Sequence, residues 1–256
     1  MMLKIISTGK GGVGKTTTLS TLATMLERSG KKVIVFDTDP SMNLAMCLGI
    51  PFHVIPTITE HKHEINRDLE EKDISEIGEH IICEHSMKNP DGIRVVVMGA
   101  IHEGGSGCLC SAIALIKILL SYLESDDSFE DYDVALVDSQ AGPEILGRGL
   151  AKEFDWNLVL TEPTPKSAEV SRQVVKLAND LGVRKHLLVI NKSESEDDIG
   201  KVSQMVGIPA EDSVRIRYDR SVIQADWDNK VLVDAYPDCD AVSDIKAIRN
   251  ILMEGM

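Results

Sequence analysis

The sequence has no basic excess: 27 lysines and arginines face 41 aspartates and glutamates, a formal net charge of -14. A nonspecific grip on nucleic acid or on an anionic membrane rests on clustered positive charge, so neither is expected as a partner. No apolar run approaches the roughly 18 residues that a membrane-spanning helix needs. The first residues pass straight into a strand pattern rather than a leader. Low-complexity tracts are missing as well. Cysteine is sparse, five residues in 256, which makes no disulfide scaffold. A cytoplasmic protein is expected, with any closely spaced cysteines suspected of holding metal.

What is present is a chain long enough for one sizeable core, 43% hydrophobic, read as a single domain over 1–256. Apolar runs at 3–6, 32–36, 93–98, 133–137, 156–160 and 186–190 read as buried strands. Helical spacing marks 18–28, 112–123, 167–179 and 241–253. Strand alternating with helix predicts an α/β fold, a mostly parallel sheet with helices on both faces. The charged stretch 53–85 is expected to carry a helix within 64–82 on the solvated surface, and 194–198 an acidic loop. The final helix has no basic face, so it is expected to pack on the sheet rather than on a membrane.

The most informative stretch runs from Gly9 through Lys10, Gly11, Gly12, Val13, Gly14, Lys15 and Thr16 to Thr17, between the first strand and the first helix. It fits the phosphate-binding loop G-x-x-x-x-G-K-[ST]. A polyphosphate needs many donors at close range, and the glycines let backbone N–H groups turn inward. The following helix adds its N-terminal partial positive charge. Lys15 is expected on the β- and γ-phosphates and the Thr16 hydroxyl on Mg²⁺. Lys10 is a second lysine that phosphate binding within one chain does not require. Asp138 closes the strand at 133–137 as a Walker B carboxylate holding Mg²⁺ through water. Asp37 and Asp39, before Pro40, sit at another strand end, where carboxylates face the ligand crevice; ordinary turn chemistry would place the same residues there. Asn43 is a candidate for holding that loop. The pair His61 and His63 invites a metal reading, but an exposed charged face produces such clusters often.

A second informative segment follows the strand at 93–98, a glycine-rich loop that ends in Cys108-Leu109-Cys110. Two cysteines two apart can place both sulfurs on one side of the chain, which supplies half of a tetrahedral thiolate site. A two-fold dimer would supply the other half from the same patch. Two incidental thiols at a helix start are the alternative. Cys47, Cys83 and Cys239 are isolated and expected as buried small hydrophobes.

The run from Lys10 to Thr17 resembles the deviant phosphate loop of the ATPase family that includes MinD, ParA and the nitrogenase iron protein. With Gly104 to Cys110 it resembles, more narrowly, the CooC-type nickel-insertion ATPases that mature carbon monoxide dehydrogenase. The resemblance implies a homodimer with ATP sandwiched between subunits, in which Lys10 of each crosses to the partner's nucleotide. It implies that Asp39 orients the attacking water, that Asp37 lies near the Mg²⁺ hydration shell, and that Gly142 lets a second switch approach the γ-phosphate. Asn191, followed by Lys192, would read the adenine edge, with the backbone of Arg217, Tyr218 and Asp219 on the other side of the base. Cys108 and Cys110 of two subunits would bind one Ni²⁺ or Zn²⁺, destined for an apo nickel enzyme such as carbon monoxide dehydrogenase or acetyl-CoA synthase. Gln140 and Ile145 stand where such relatives commonly carry glutamate and histidine, and Arg217 where they usually carry proline; Glu144 and Arg148 match. Two further readings stay open: an ATP-driven electron carrier with a dimer-bridging iron–sulfur cluster, and a MinD/ParA-like positioning ATPase.

Overall fold

The computed structural model describes residues 2–51, 54–100, 110–125, 128, 130–150 and 154–254. Its centre is an eight-stranded sheet in the order β3-β4-β2-β5-β1-β6-β7-β8. The strands are β1 (Leu3–Gly9), β2 (Val33–Asp37), β3 (Ser86–Lys88), β4 (Arg94–Val97), β5 (Val134–Asp138), β6 (Trp156–Thr161), β7 (Lys185–Ser193) and β8 (Ser213–Arg217). Every neighbouring pair is parallel except β3 with β4. The expected α/β class is therefore what forms.

Parallel strands must be covered on both faces, because their crossovers are helices. Alternation along each strand supplies two cores. Ile6, Phe36, Val96, Val137, Val159 and Leu188 face one side. Leu3, Ile5, Val35, Leu136, Leu158 and Val189 face the other. The first face is covered by α3 (Ile58–Glu71), α4 (Ile74–Glu84), α5 (Cys110–Glu124), α7 (Pro165–Asp180) and α8 (Asp197–Val206). The second takes α1 (Lys15–Arg28), α2 (Asn43–Cys47), α10 (Leu232–Ala235) and α11 (Asp240–Glu254). The short α6 (Glu144–Gly147) follows β5, and α9 (Arg220–Trp227) follows β8. No helix among the described residues is long and apolar enough to cross a membrane.

Three expectations need correction. The 53–85 stretch holds two helices with a break at Lys72–Asp73, and they are not simply solvated: Ile58, Ile65, Ile77, Ile81 and Ile82 are buried in the first core. A few apolar residues at helical spacing outweigh the surrounding charge, which sits on the outer faces. The 194–198 segment is not all loop, since α8 begins at Asp197 and the Asp198 carboxylate accepts from the Ser193 hydroxyl at 2.8 Å. Of the cysteines expected to be buried, Cys83 is exposed and Cys47 and Cys239 are half-buried.

His61 meets His85, not His63: the two rings lie with centroids 4.6 Å apart. His85 is only 9% exposed, and its Nδ1 is buried without a hydrogen-bond partner. Burial and the neighbouring His61 lower its pKa from 6.5; burial likewise lowers that of His186, whose Nε2 is also unpartnered. The unfolded chain binds these protons first, so these two rings destabilise the fold as pH drops below about 6.5. Urea unfolding at pH 7.5 and 5.5 should show a change on acidification that favours folding more in His85→Phe/His186→Phe than in the parent. Equal changes would show that these rings do not resist protonation.

Candidate functional site

The C-terminal ends of β1, β2 and β5 converge because the sheet pairs them in adjacent register. Asp37 stands beside Asp138, and Asp138 beside Ser7. The strand order reverses direction around β1, so the loop leaving β1 opens into the crevice where α/β sheets bind ligands. That loop is the sequence-predicted one. Gly9 (φ 143°), Gly12 (φ 80°) and Gly14 (φ 90°) take backbone conformations that side chains disfavour. A Cβ on Gly9 would lie 2.1 Å from the Leu160 carbonyl oxygen, and one on Gly14 would lie 2.2 Å from Asn191 Nδ2.

Lys15 is buried at 7% exposure, and its Nζ donates to the Lys10 carbonyl at 3.4 Å. Burial lowers its pKa, against the opposing pull of Asp138 and Asp39. The Thr16 hydroxyl donates to Asp138 Oδ2 at 2.5 Å, and Ser7 to Asp138 Oδ1 at 2.9 Å. Lys10, by contrast, is exposed. Two lysines five residues apart thus have opposite environments: one faces the crevice floor and the other faces out.

The first acidic loop is organised by its own carboxylates. Asp37 accepts from the Asp39 N–H at 3.1 Å and from the Leu44 N–H at 3.0 Å. Asp39 accepts from the Ser41 N–H at 2.9 Å and the Ser41 hydroxyl at 2.6 Å. Asn43 donates to Ser41 Oγ at 3.1 Å, tying it into the same loop. Burial, with Asp138 alongside, pushes Asp37 up to about 8. Burial raises Asp138 as well. Such paired, desolvated carboxylates call for a cation, and hard oxygen donors next to a phosphate loop fit Mg²⁺. Thr16, Asp37 and Asp138 are the residues that would hold it.

After β5 the chain turns back onto the loop: the Gly142 N–H donates to the Gly9 carbonyl at 2.9 Å, with Gly142 at φ 86°. Ile145 is fully buried in the core, so at that position the chain offers packing and no polar group. Gln140 Oε1 and Arg148 Nη1 are buried without partners.

On the far side of the loop lies a cleft of about 280 Å³, near the ~300 Å³ lower bound of small-ligand sites. It is lined by Gly12, Gly14, Thr17, Asn191, Lys192, Arg217, Tyr218 and Asp219, with Ile216, Val222, Leu232 and Ile245 as apolar wall. The residues predicted to flank a base are thereby brought together. Asn191, however, spends its amide on the backbone: Nδ2 donates to Val13 O at 2.8 Å, and Oδ1 accepts from the Lys192 N–H at 2.8 Å. Lys192 lies at φ 57°, with Nζ on Gly12 O at 2.9 Å and Glu162 Oε1 at 2.6 Å. Sequence reasoning did not find Ser7, Ser41 or Glu162; only Ser7, a polar break in an apolar run beside Asp138, left a signal.

Cys110 is exposed at the first residue of α5, while Cys108 lies outside the described residues. Among the described residues no group of three or more His, Cys, Asp or Glu is placed to hold a metal ion. β4 runs parallel to β2, so the chain departs toward residues 101–109 from the same edge as the phosphate loop.

Residues 4–233 match the CobQ/CobB/MinD/ParA nucleotide binding domain. An uncharacterized ATP-binding protein of Methanocaldococcus jannaschii is 33% identical, over 98% of each chain. The carbon monoxide dehydrogenase accessory protein CooC of Rhodospirillum rubrum is 32% identical, over 77% of each. Among solved structures, the septum site-determining protein MinD with Mg-ADP from Pyrococcus horikoshii superposes with a TM-score of 0.75 at 19% identity, covering 98% of this chain and 96% of that one.

Two outcomes are expected. Gly14→Ala puts a Cβ against Asn191 at a positive φ, a change that costs more than about 1 kcal/mol. ATP affinity, measured by equilibrium titration, should fall at least tenfold, and unchanged binding would contradict the packing of loop on Asn191. Separately, the raised Asp37 means that the folded, metal-free chain resists ionising a group the unfolded chain ionises near 3.8. Its stability should therefore decline as pH rises toward about 8, read between pH 6.5 and 8 where the histidines above contribute little. Mg²⁺ with a non-hydrolysable ATP analogue, or Asp37→Asn, should flatten that slope.

Proposed function

The chain belongs to the CobQ/CobB/MinD/ParA nucleotide-binding family and is a P-loop ATPase, and on that premise we propose that it is an ATP-driven metallochaperone for a nickel enzyme. The observation that carries this reading is the Cys108/Cys110 pair in a chain 32% identical to a carbon monoxide dehydrogenase accessory protein. Residues 101–109 come three residues after β4, whose end lies on the phosphate-loop edge, which supports a coupling between nucleotide and thiolates.

Each residue's part follows from its environment. The glycine-rich loop turns its N–H groups on the polyphosphate of ATP, and buried Lys15 meets the β- and γ-phosphates. Bound Mg²⁺ supplies charge neutralisation on the phosphate oxygens. Asp39 orients the water that attacks in line. Ser41 keeps its carboxylate in place until then. Exposed Lys10 reaches the nucleotide of a second copy, so that ATP joins two protomers face to face. That closure unites two Cys-x-Cys pairs into a four-thiolate site for Ni²⁺ or Zn²⁺, the cargo. Hydrolysis loosens it and releases metal to an apo enzyme of the carbon monoxide dehydrogenase or acetyl-CoA synthase kind.

A dimer-bridging iron–sulfur cluster is the second reading. It would ask for another cysteine near the second switch, and the next one after Asp138 is Cys239, just before α11.

Native mass spectrometry of the full chain with Ni²⁺ or Zn²⁺ and a non-hydrolysable ATP analogue tests the proposal. The expected species is a dimer with one metal ion. Cys108→Ala/Cys110→Ala should bind ATP with parental affinity and no stoichiometric metal. Metal retained by that variant, or held by the parent monomer through other ligands, would overturn the site.

A further inference from the structure

The base cleft carries one arginine among the described residues that line it, Arg217 at the end of β8. Its guanidinium is withheld from the cleft. Nε donates to Asp244 Oδ2 at 2.9 Å, Nη2 to Asp244 Oδ1 at 2.8 Å, and Nη1 pairs with Asp240 Oδ1 at 2.6 Å. The Arg217 backbone N–H also donates to Asp244 Oδ2 at 2.9 Å. Asp240 and Asp244 are four residues apart on α11, one turn along the same face. Ala241 and Ile245 of that helix line the cleft itself. The fork geometry of a bidentate arginine–carboxylate pair fixes where the guanidinium lies as well as holding it.

What that placement prevents follows from the two purines. Guanine offers an arginine two acceptors, O6 and N7, whereas adenine offers N7 beside an N6 amino group, which is itself a donor. A guanidinium free on the wall would pair with guanine and meet adenine donor against donor. The other charged side chains on the wall are committed too. Asp219 accepts from the Ser221 N–H at 2.8 Å and the Ala241 N–H at 3.4 Å. Lys192 is held by Glu162 and Gly12. The wall therefore meets a base with paired charges and apolar carbon, and a lone free donor fork would dominate its selectivity.

We propose that Asp244, together with Asp240, is a specificity-determining positioning residue: by occupying Arg217 it keeps the site selective for adenine over guanine nucleotides. This rests on the cleft being the base site of the proposed ATPase and is independent of the metal. The test is steady-state hydrolysis of ATP and GTP, with Mg²⁺, by the full chain. In Asp240→Asn/Asp244→Asn the ratio of kcat/KM for ATP over GTP should fall about tenfold, the discrimination one bidentate contact supplies. Adding Arg217→Ala should restore the ratio, because the freed donor is gone. If the double variant fails to fold, Asp244→Asn alone, read by equilibrium binding of fluorescent ATP and GTP analogues, should show the same fall. Both affinities weakening together at a constant ratio would reduce the clamp to a support for α11 and overturn the proposal. A ratio that stays low after Arg217→Ala would overturn it as well. A parent chain that binds neither nucleotide would instead overturn the base-site reading on which it rests.

Discussion

Everything at the phosphate edge depends on two carboxylates that the sheet forces side by side. Asp37 and Asp138 occupy adjacent register positions at the ends of β2 and β5, both with essentially no exposure. Their burial in apolar strands raises both pKa values, and the charge of Asp138 raises that of Asp37 further. A purely structural design would put apolar residues there. The fold instead answers them with hydroxyls from Ser7 and Thr16, backbone N–H groups from the Asp37 loop, and the Lys15 ammonium near Asp138. That arrangement satisfies hydrogen bonds but leaves an acceptor-rich pocket, which is how a protein keeps a place ready for a hard cation, while the donors for a polyphosphate come from the neighbouring glycine-rich loop and Lys15.

How much of this was legible in the sequence depends on how local the signal was. The phosphate loop was, because glycine is the residue whose φ freedom the turn needs and because a strand and a helix flank it. The strands of the parallel sheet were, because burial on both faces writes continuous apolar runs. The edge strand β3 was not: three residues, Ser86–Lys88, half-exposed and antiparallel, carry no such run. Nor was β8, where Arg215 and Arg217 interrupt the pattern. In the 53–85 stretch, charge outnumbered the isoleucines that decide the packing, so the eye followed composition where spacing ruled.

The site's long-range partnerships were the least legible. Glu162 with Lys192 and Asp244 with Arg217 join residues 30 and 27 positions apart, and nothing in either local pattern announces the other. Arg217 on its own reads as an awkward substitution in a base-binding segment. With the two aspartates of α11 it becomes a wall held from behind. Asn191 shows the reverse case. It was expected to read a base edge, but its amide is turned on the loop backbone, so it ties the cleft it lines to the phosphate loop.

The contrast between the two loop lysines carries the argument toward a second copy. Lys15 is buried and already answered by the loop carbonyl and nearby carboxylates. Lys10 stands exposed a few residues away, within the same glycine-rich turn. A cation placed outward on a loop whose backbone faces a polyphosphate gains little in a monomer, where water screens it. Against a second phosphate loop it would be desolvated next to concentrated negative charge, where the same cation is worth far more. The paired cysteines follow the same arithmetic of donors: Cys108 and Cys110 supply two thiolates, and a tetrahedral thiolate site wants four. Under the proposed function one symmetry axis would answer both shortages at once, and ATP, dimer and metal would then form one equilibrium in which each component raises the affinity for the others.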